Sequence, residues 1–148
     1  MKYVVWIISL FFCAQNGLSH PLSGEGDGYV SVELKGQFGN QMFQIATAYA
    51  YALDHDLPLT IPDLVNKRGS GIPVNARELF LRKVPAYPLP YQPEVKWMDR
   101  GNNYQEIPDS KAIVINGWFQ SEKFFRHRKH EIVELFAPPP GMNEKILA

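Results

Sequence analysis

From Tyr29 onward the chain moves between two hydrophobic rhythms. Tyr29-Val30-Ser31-Val32-Glu33-Leu34 is a short apolar run rich in β-branched residues, the pattern of a strand. Gly36 and Gly39 follow, and then Met42, Ile45, Ala46, Tyr49, Ala50 and Leu53 recur at helical intervals. That stripe predicts an amphipathic helix over about 40–54. Alanines at 46, 48, 50 and 52 favour it and permit close packing on a sheet. Asp54-His55-Asp56 ends the helix, and Leu57-Pro58-Leu59-Thr60-Ile61 returns as a strand. Strand, glycine turn, helix, strand is the opening of an α/β unit.

Residues 62–110 are less regular. Gly69-Ser70-Gly71 marks a loop, and 76–84 predicts a short helix. Pro85, Pro88, Pro90 and Pro93 hold the next stretch extended, because each fixes φ and removes a donor. Tyr87, Tyr91, Trp97 and Tyr104 read as covers for a core edge, with stacking on a sugar as the functional counterpart. Order returns at Lys111-Ala112-Ile113-Val114-Ile115-Asn116-Gly117-Trp118-Phe119, a buried-strand pattern that Asn116-Gly117 should end. Ser121 is placed to cap a following helix, with Glu122 in its first turn, and Pro138 to stop it. Phe124, Phe125, Ile132, Leu135 and Phe136 are expected to share that helix's buried face. Arg126-His127-Arg128-Lys129-His130 reads as a solvated basic run paired with Glu131 and Glu134.

Composition narrows the function classes. At 148 residues, 45% hydrophobic and 20% charged, the chain is globular in character. Fifteen basic and fifteen acidic residues cancel, which removes the electrostatic case for nucleic acid as partner. The single cysteine, Cys13, excludes an intrachain disulfide and a cysteine-based metal site. His55 reads as a favourable interaction with the negative end of its helix, with an acid–base role as the alternative.

The ends carry their own signals. Met1-Lys2 and the apolar run 3–14 suit a signal-peptide core better than a full membrane span, which needs about 20 residues. Residues 1–19 are therefore expected to be a signal peptide or short membrane anchor, and 20–28 a linker. The folded unit is expected over 29–148, and the last residues read as a helix just starting, as in the front portion of a longer protein.

Two segments carry chemistry. Where a glycine turn opens a helix, the unpaired N–H groups of the first turn suit an anion. The turn, Gly36-Gln37-Phe38-Gly39-Asn40-Gln41-Met42-Phe43-Gln44, resembles the start of the catalytic domain in the α-1,2-fucosyltransferase family of glycosyltransferases. Gly117-Trp118-Phe119-Gln120-Ser121-Glu122-Lys123-Phe124-Phe125 resembles a second segment of that family, in the same order along the chain. The likeness covers roughly 29–139.

The resemblance implies an α/β fold, a Rossmann-like half-domain of a GT-B-type glycosyltransferase. It implies inverting transfer of fucose from GDP-β-L-fucose to the 2-hydroxyl of a galactose-containing glycan, with no metal and no further cofactor. Donor binding then falls on Gly36, Gly39, Asn40 and Gln41, with Asn40 at the donor phosphates or, more simply, as the helix N-cap. Residues 120–123 read as helix capping rather than catalysis. The family's His-x-Arg-Arg-x-Asp motif has no counterpart, since His127 is followed by Lys129, His130 and Ile132 at the corresponding offsets. No general base is identified, and the expectation is a front half inactive by itself.

Two other readings belong to different classes. One is a non-catalytic, secreted or membrane-tethered module that binds a glycan or nucleotide. The other, a nucleotide hydrolase, fits poorly, because Asn40-Gln41 stand where a phosphate loop has Lys-Ser/Thr. The apolar N-terminal run suits the secretory pathway or a membrane-associated enzyme of the Golgi type. A cytoplasmic location follows if that run has no targeting role.

Overall fold

The computed structural model describes residues 27–66, 74–101 and 104–142. The expected leader, most of the linker, the Gly69-Ser70-Gly71 loop and the helix start after Met142 lie outside the described residues. Among the described residues no helix is long and apolar enough to cross a membrane.

The architecture is α/β around a small parallel sheet. Strand β1 (Tyr29–Val32) leads to helix α1 (Phe38–Asp54), then to the short helices α2 (Asp63–Asn66) and α3 (Val74–Phe80). Strand β2 (Val95–Met98) and strand β3 (Ala112–Asn116) follow, then two 3-10 turns, Glu122–Phe124 and Arg126–Arg128, and helix α4 (Lys129–Phe136). The strand order is β1-β3-β2, with both pairings parallel. β1 and β3 are buried along nearly their whole length, which is why they read as unbroken apolar runs.

Val30, Val32, Ile113 and Ile115 face the main core together with Ile45, Ala48 and Ala52 of α1 and Ile132 and Leu135 of α4. The other sheet face is a thinner layer, Tyr29, Ala112 and Val114 under Leu89. The proline-rich stretch lies beside it as a row of acceptors. The Ile61 N–H donates to the Pro85 carbonyl at 3.0 Å, the Thr60 hydroxyl to that of Tyr87 at 2.6 Å, and the Tyr29 hydroxyl to that of Tyr91 at 2.8 Å. A segment short of donors is thus satisfied by donors from its neighbours.

Several expectations are corrected here. The strand expected over 57–61 narrows to one parallel bridge, Val30 to Leu59. Pro58 and Pro62 flank it, and neither has an N–H to carry the ladder on. Strand β2 was not anticipated, although Val95 and Trp97 alternate with exposed Lys96 and Met98. Helix α1 begins at Phe38, with Gln37 at the cap, so Asn40 is not its N-cap. It ends as expected: Asp56 turns left-handed (φ +52°), and the Leu57 N–H closes on the Ala52 carbonyl at 2.9 Å.

The single helix expected after Ser121 is replaced by the two 3-10 turns and α4. Phe125, at φ −145° and ψ 1°, breaks the run. Phe124, Ile132 and Leu135 are nevertheless buried, with Phe125 and Phe136 packed beside them.

Candidate functional site

The loops after β1 and β3 leave neighbouring carboxyl ends of the parallel sheet, where open α/β sheets present their ligand crevices. The two segments singled out in the sequence are these two loops.

The first loop is held from beneath. The Leu34 N–H donates to Asp63 Oδ2 at 2.8 Å. Gln44 clasps Lys35 from both sides: its Oε1 accepts the Lys35 N–H at 3.0 Å, and its Nε2 donates to the Lys35 carbonyl at 3.2 Å. Gln41 Nε2 donates to the Gly36 carbonyl at 2.8 Å. Gln41 and Gln44 are fully buried, so these amides set the backbone from inside the molecule. Gly36 takes φ +74°, and a Cβ there would meet Trp118 Cζ3 at 2.7 Å and Asn40 Nδ2 at 2.8 Å. Around Gly39, in the exposed first turn of α1, nothing lies within 4 Å of where a Cβ would sit.

The second loop is held by an aromatic anchor. Phe119 is wholly buried at φ +49°, stacked near Trp97 (6.1 Å between centroids) and edge-on to Phe124 (5.2 Å). Burying Phe119 leaves Trp118 and Gln120 exposed on either side of it. Ser121 does cap, as expected, but over a 3-10 turn, its Oγ accepting from the Lys123 N–H at 3.4 Å.

The loops meet through side chains. Gln120 Nε2 donates to Asn40 Oδ1 at 2.8 Å, which leaves Asn40 Nδ2 as the donor end of that amide. Lys35 Nζ donates to Asn116 Oδ1 at 2.8 Å and lies 4.9 Å from the centre of the Trp118 ring. Asn116 Nδ2 in turn donates to Glu33 Oε2. The N–H groups of Phe38, Gly39 and Asn40 stand in the first turn with no preceding helical carbonyl, whereas that of Gln41 already bonds to Gln37. Three first-turn N–H groups, an ammonium held by a neutral amide and the amide of Asn40 belong to the two loops at this end of the sheet. Such a set of donors suits an anion.

Of the residues predicted to bind a donor, Gly36, Gly39 and Asn40 stand at this end of the sheet, while the Gln41 side chain lies buried behind them, bracing the turn. Sequence reasoning missed Lys35, Gln44 and Asp63. The available signal was two glutamines three apart on an otherwise apolar helix face. His55 sits at the other end of α1, roughly 25 Å away. There its Nδ1 lies 2.9 Å from the Tyr51 carbonyl, the helix-end role expected of it.

The basic run is also remote from the turn. His127 Nε2 and Arg128 Nε contact Asp54 at 2.7 and 2.8 Å, while Arg128 and His130 reach Glu131 and Glu134, each at 3.3 Å. Pairing with Glu131 and Glu134 was expected, and Asp54 is the added partner. Among the described residues no group of three His, Cys, Asp or Glu is arranged to hold a metal ion. No protein-family model, curated protein or solved structure matches this chain.

Proposed function

We propose that this chain is the front, Rossmann-like half of a GT-B-type α-1,2-fucosyltransferase and supplies the diphosphate-facing edge of the donor site. The observation that carries this reading is the hydrogen bond between Gln120 and Asn40, 2.8 Å long, which joins two segments 80 residues apart that both resemble that family. In such a transfer the acceptor 2-hydroxyl oxygen attacks the fucose anomeric carbon as the bond from that carbon to GDP breaks, and the hydroxyl proton passes to a general base. Negative charge grows on the departing diphosphate. The Phe38, Gly39 and Asn40 N–H groups, the Asn40 amide and the Lys35 ammonium would meet that charge already oriented, stabilising the transition state more than the ground state. Gly36 permits the turn, Gly39 keeps the approach open, and Gln41 with Gln44 holds the backbone still.

The test is Asn40→Ala in a polypeptide that also supplies the His-x-Arg-Arg-x-Asp segment. Fucosyl transfer should fall at least tenfold, with the circular dichroism spectrum unchanged. Undiminished turnover of GDP-fucose would remove Asn40 from the donor site. GDP titrated into the chain alone should bind weakly, because one wall of the site is present without the other.

A further inference from the structure

Ahead of β3 the chain returns to the amino end of the sheet as a strap, residues 104–111, with no helix or strand of its own. Most of it is exposed, with Ile107 packed on the main core. We propose that this strap is fastened to the end of α1 by a proton-operated clasp, His55, which closes fully only when its imidazole is charged. The clasp is independent of the transferase reading.

Tyr51, in the last turn of α1, and His55, at its C-cap, meet the far end of the strap. The Tyr51 hydroxyl accepts the Ser110 N–H at 3.0 Å and donates to the Pro108 carbonyl at 3.0 Å. Its ring stacks on the His55 imidazole, with 3.8 Å between centroids and 17° between planes. His55 Nδ1 lies 2.9 Å from the Tyr51 carbonyl oxygen, and Nε2 lies 2.9 Å from Asp109 Oδ1. One imidazole thus bridges the end of the helix and a carboxylate of the strap.

The proton count decides how that bridge works. A carbonyl oxygen and an ionised carboxylate only accept, whereas a neutral imidazole has one N–H and one lone pair. In either neutral tautomer one ring nitrogen sets its lone pair 2.9 Å from an acceptor oxygen, and one end of the bridge fails. The imidazolium donates from both nitrogens and satisfies both ends. Its charge also suits the negative end of α1 and the face of the Tyr51 ring. Histidine is the side chain that gains and loses such a charge between about pH 5 and 8. His127 is the contrast, because its Nε2 meets Asp54 at 2.7 Å through a single N–H, which a neutral ring also has.

The neighbouring groups leave the switch to this ring. Burial pushes the Tyr51 hydroxyl up, and the nearby Asp109 charge adds to that against the opposing Ser110 N–H, so the hydroxyl remains a donor. Asp54 is held by His127 and Arg128, and Glu94 accepts from the Ser110 hydroxyl at 3.2 Å. Asp56 and Lys111 are the other charged residues next to the clasp in the chain. Among the described residues none of these five side chains bonds to the His55 ring, whose two partners are the Tyr51 carbonyl and Asp109.

The experiment is hydrogen exchange in the full chain, read at the Ser110 amide, whose N–H sits on Tyr51. Protection is compared at about pH 5.5 and about pH 8, corrected for intrinsic rates and taken relative to Val114 in β3. The Asp109 side chain is 95% exposed, so the gain in acid should be that of a surface ion pair, roughly twofold to fivefold. Asp109→Asn should abolish the difference, because an amide both donates and accepts and so meets the neutral ring as well as the charged one. His55→Ala, which removes the ring, should show low protection at both pH values. Equal wild-type protection at the two pH values would overturn the proposal. So would a difference that survives in Asp109→Asn, since another group would then be titrating.

Discussion

The two loops at the carboxyl end of the sheet reach the same edge by opposite means. The turn after β1 is fixed by polar side chains from behind, with Asp63, Gln44 and Gln41 each bonded to its backbone. It offers outward mainly backbone N–H groups and one lysine. The loop after β3 is fixed by a buried ring, Phe119, and offers side chains outward, Trp118 and Gln120. A loop that presents oriented backbone N–H groups needs its backbone immobile, and buried hydrogen bonds achieve that because leaving them unmade is costly. A loop that presents side chains outward needs only a firm hinge, and apolar packing supplies one.

The contrast is open to breakage at its strongest point, Phe119. Replacing this wholly buried ring with alanine removes the contacts to Trp97 and Phe124 and opens a void in the core. Phe119→Ala should cost about 3–5 kcal/mol in urea unfolding. It should also loosen Trp118, read as a shifted indole N–H. A cost below about 1 kcal/mol would mean that the second loop is held by something other than its ring.

Gln44→Leu tests the other side. Leucine nearly matches the volume, but the Lys35 N–H and carbonyl both lose their partner. The expected loss is roughly 2 kcal/mol. Hydrogen exchange should quicken at Lys35 while β3 and the Phe119 loop keep their protection. If exchange quickened equally in both loops, the division between polar and apolar anchoring would fail.

The same division explains what the sequence made legible. Apolar anchoring leaves a visible trace: β1, β3, the stripe of α1 and the break at Asn116-Gly117 all follow from runs and periods. Polar anchoring from within does not. Gln41 reads as a donor-binding residue and Gln44 carries no assignment of its own, because nothing local says that α1 is covered on nearly every side. Part of that cover is remote, as where the Tyr51 hydroxyl meets the Pro108 carbonyl at 3.0 Å, 57 residues further on. Strand β2 escaped because it is four residues long and follows a run of prolines. The split of the last helix escaped because phenylalanines at 124 and 125 satisfy a helical stripe and a turn equally well. The resemblance gave the order of the two motifs along the chain but not their meeting, Asn40 with Gln120 and Lys35 with Asn116, which depends on strand order.

The smallest expected effect lies where the second loop runs on into α4 and is tied back to α1 by Asp54. There the carboxylate accepts from His127 Nε2 at 2.7 Å and Arg128 Nε at 2.8 Å. Partial burial pushes the Asp54 carboxyl up, but the hydrogen bonds from His127 and Arg128 together outweigh it and hold the group below its ordinary value. A carboxyl depressed in the folded state binds its proton more readily once unfolded. Its contribution is therefore complete above the unfolded value, about 4, and is lost as pH falls through the lower folded one. All three side chains are about a third exposed or more, so solvent screens the tie to about 0.2–1 kcal/mol. Asp54→Asn should lower stability by that amount at neutral pH, and the deficit should vanish in acid, measured by urea unfolding along a pH series. The Gln44→Leu deficit, which involves no titrating group, should hold steady over the same range. An Asp54→Asn deficit that persisted undiminished in acid would show that this corner, too, is held by neutral hydrogen bonds.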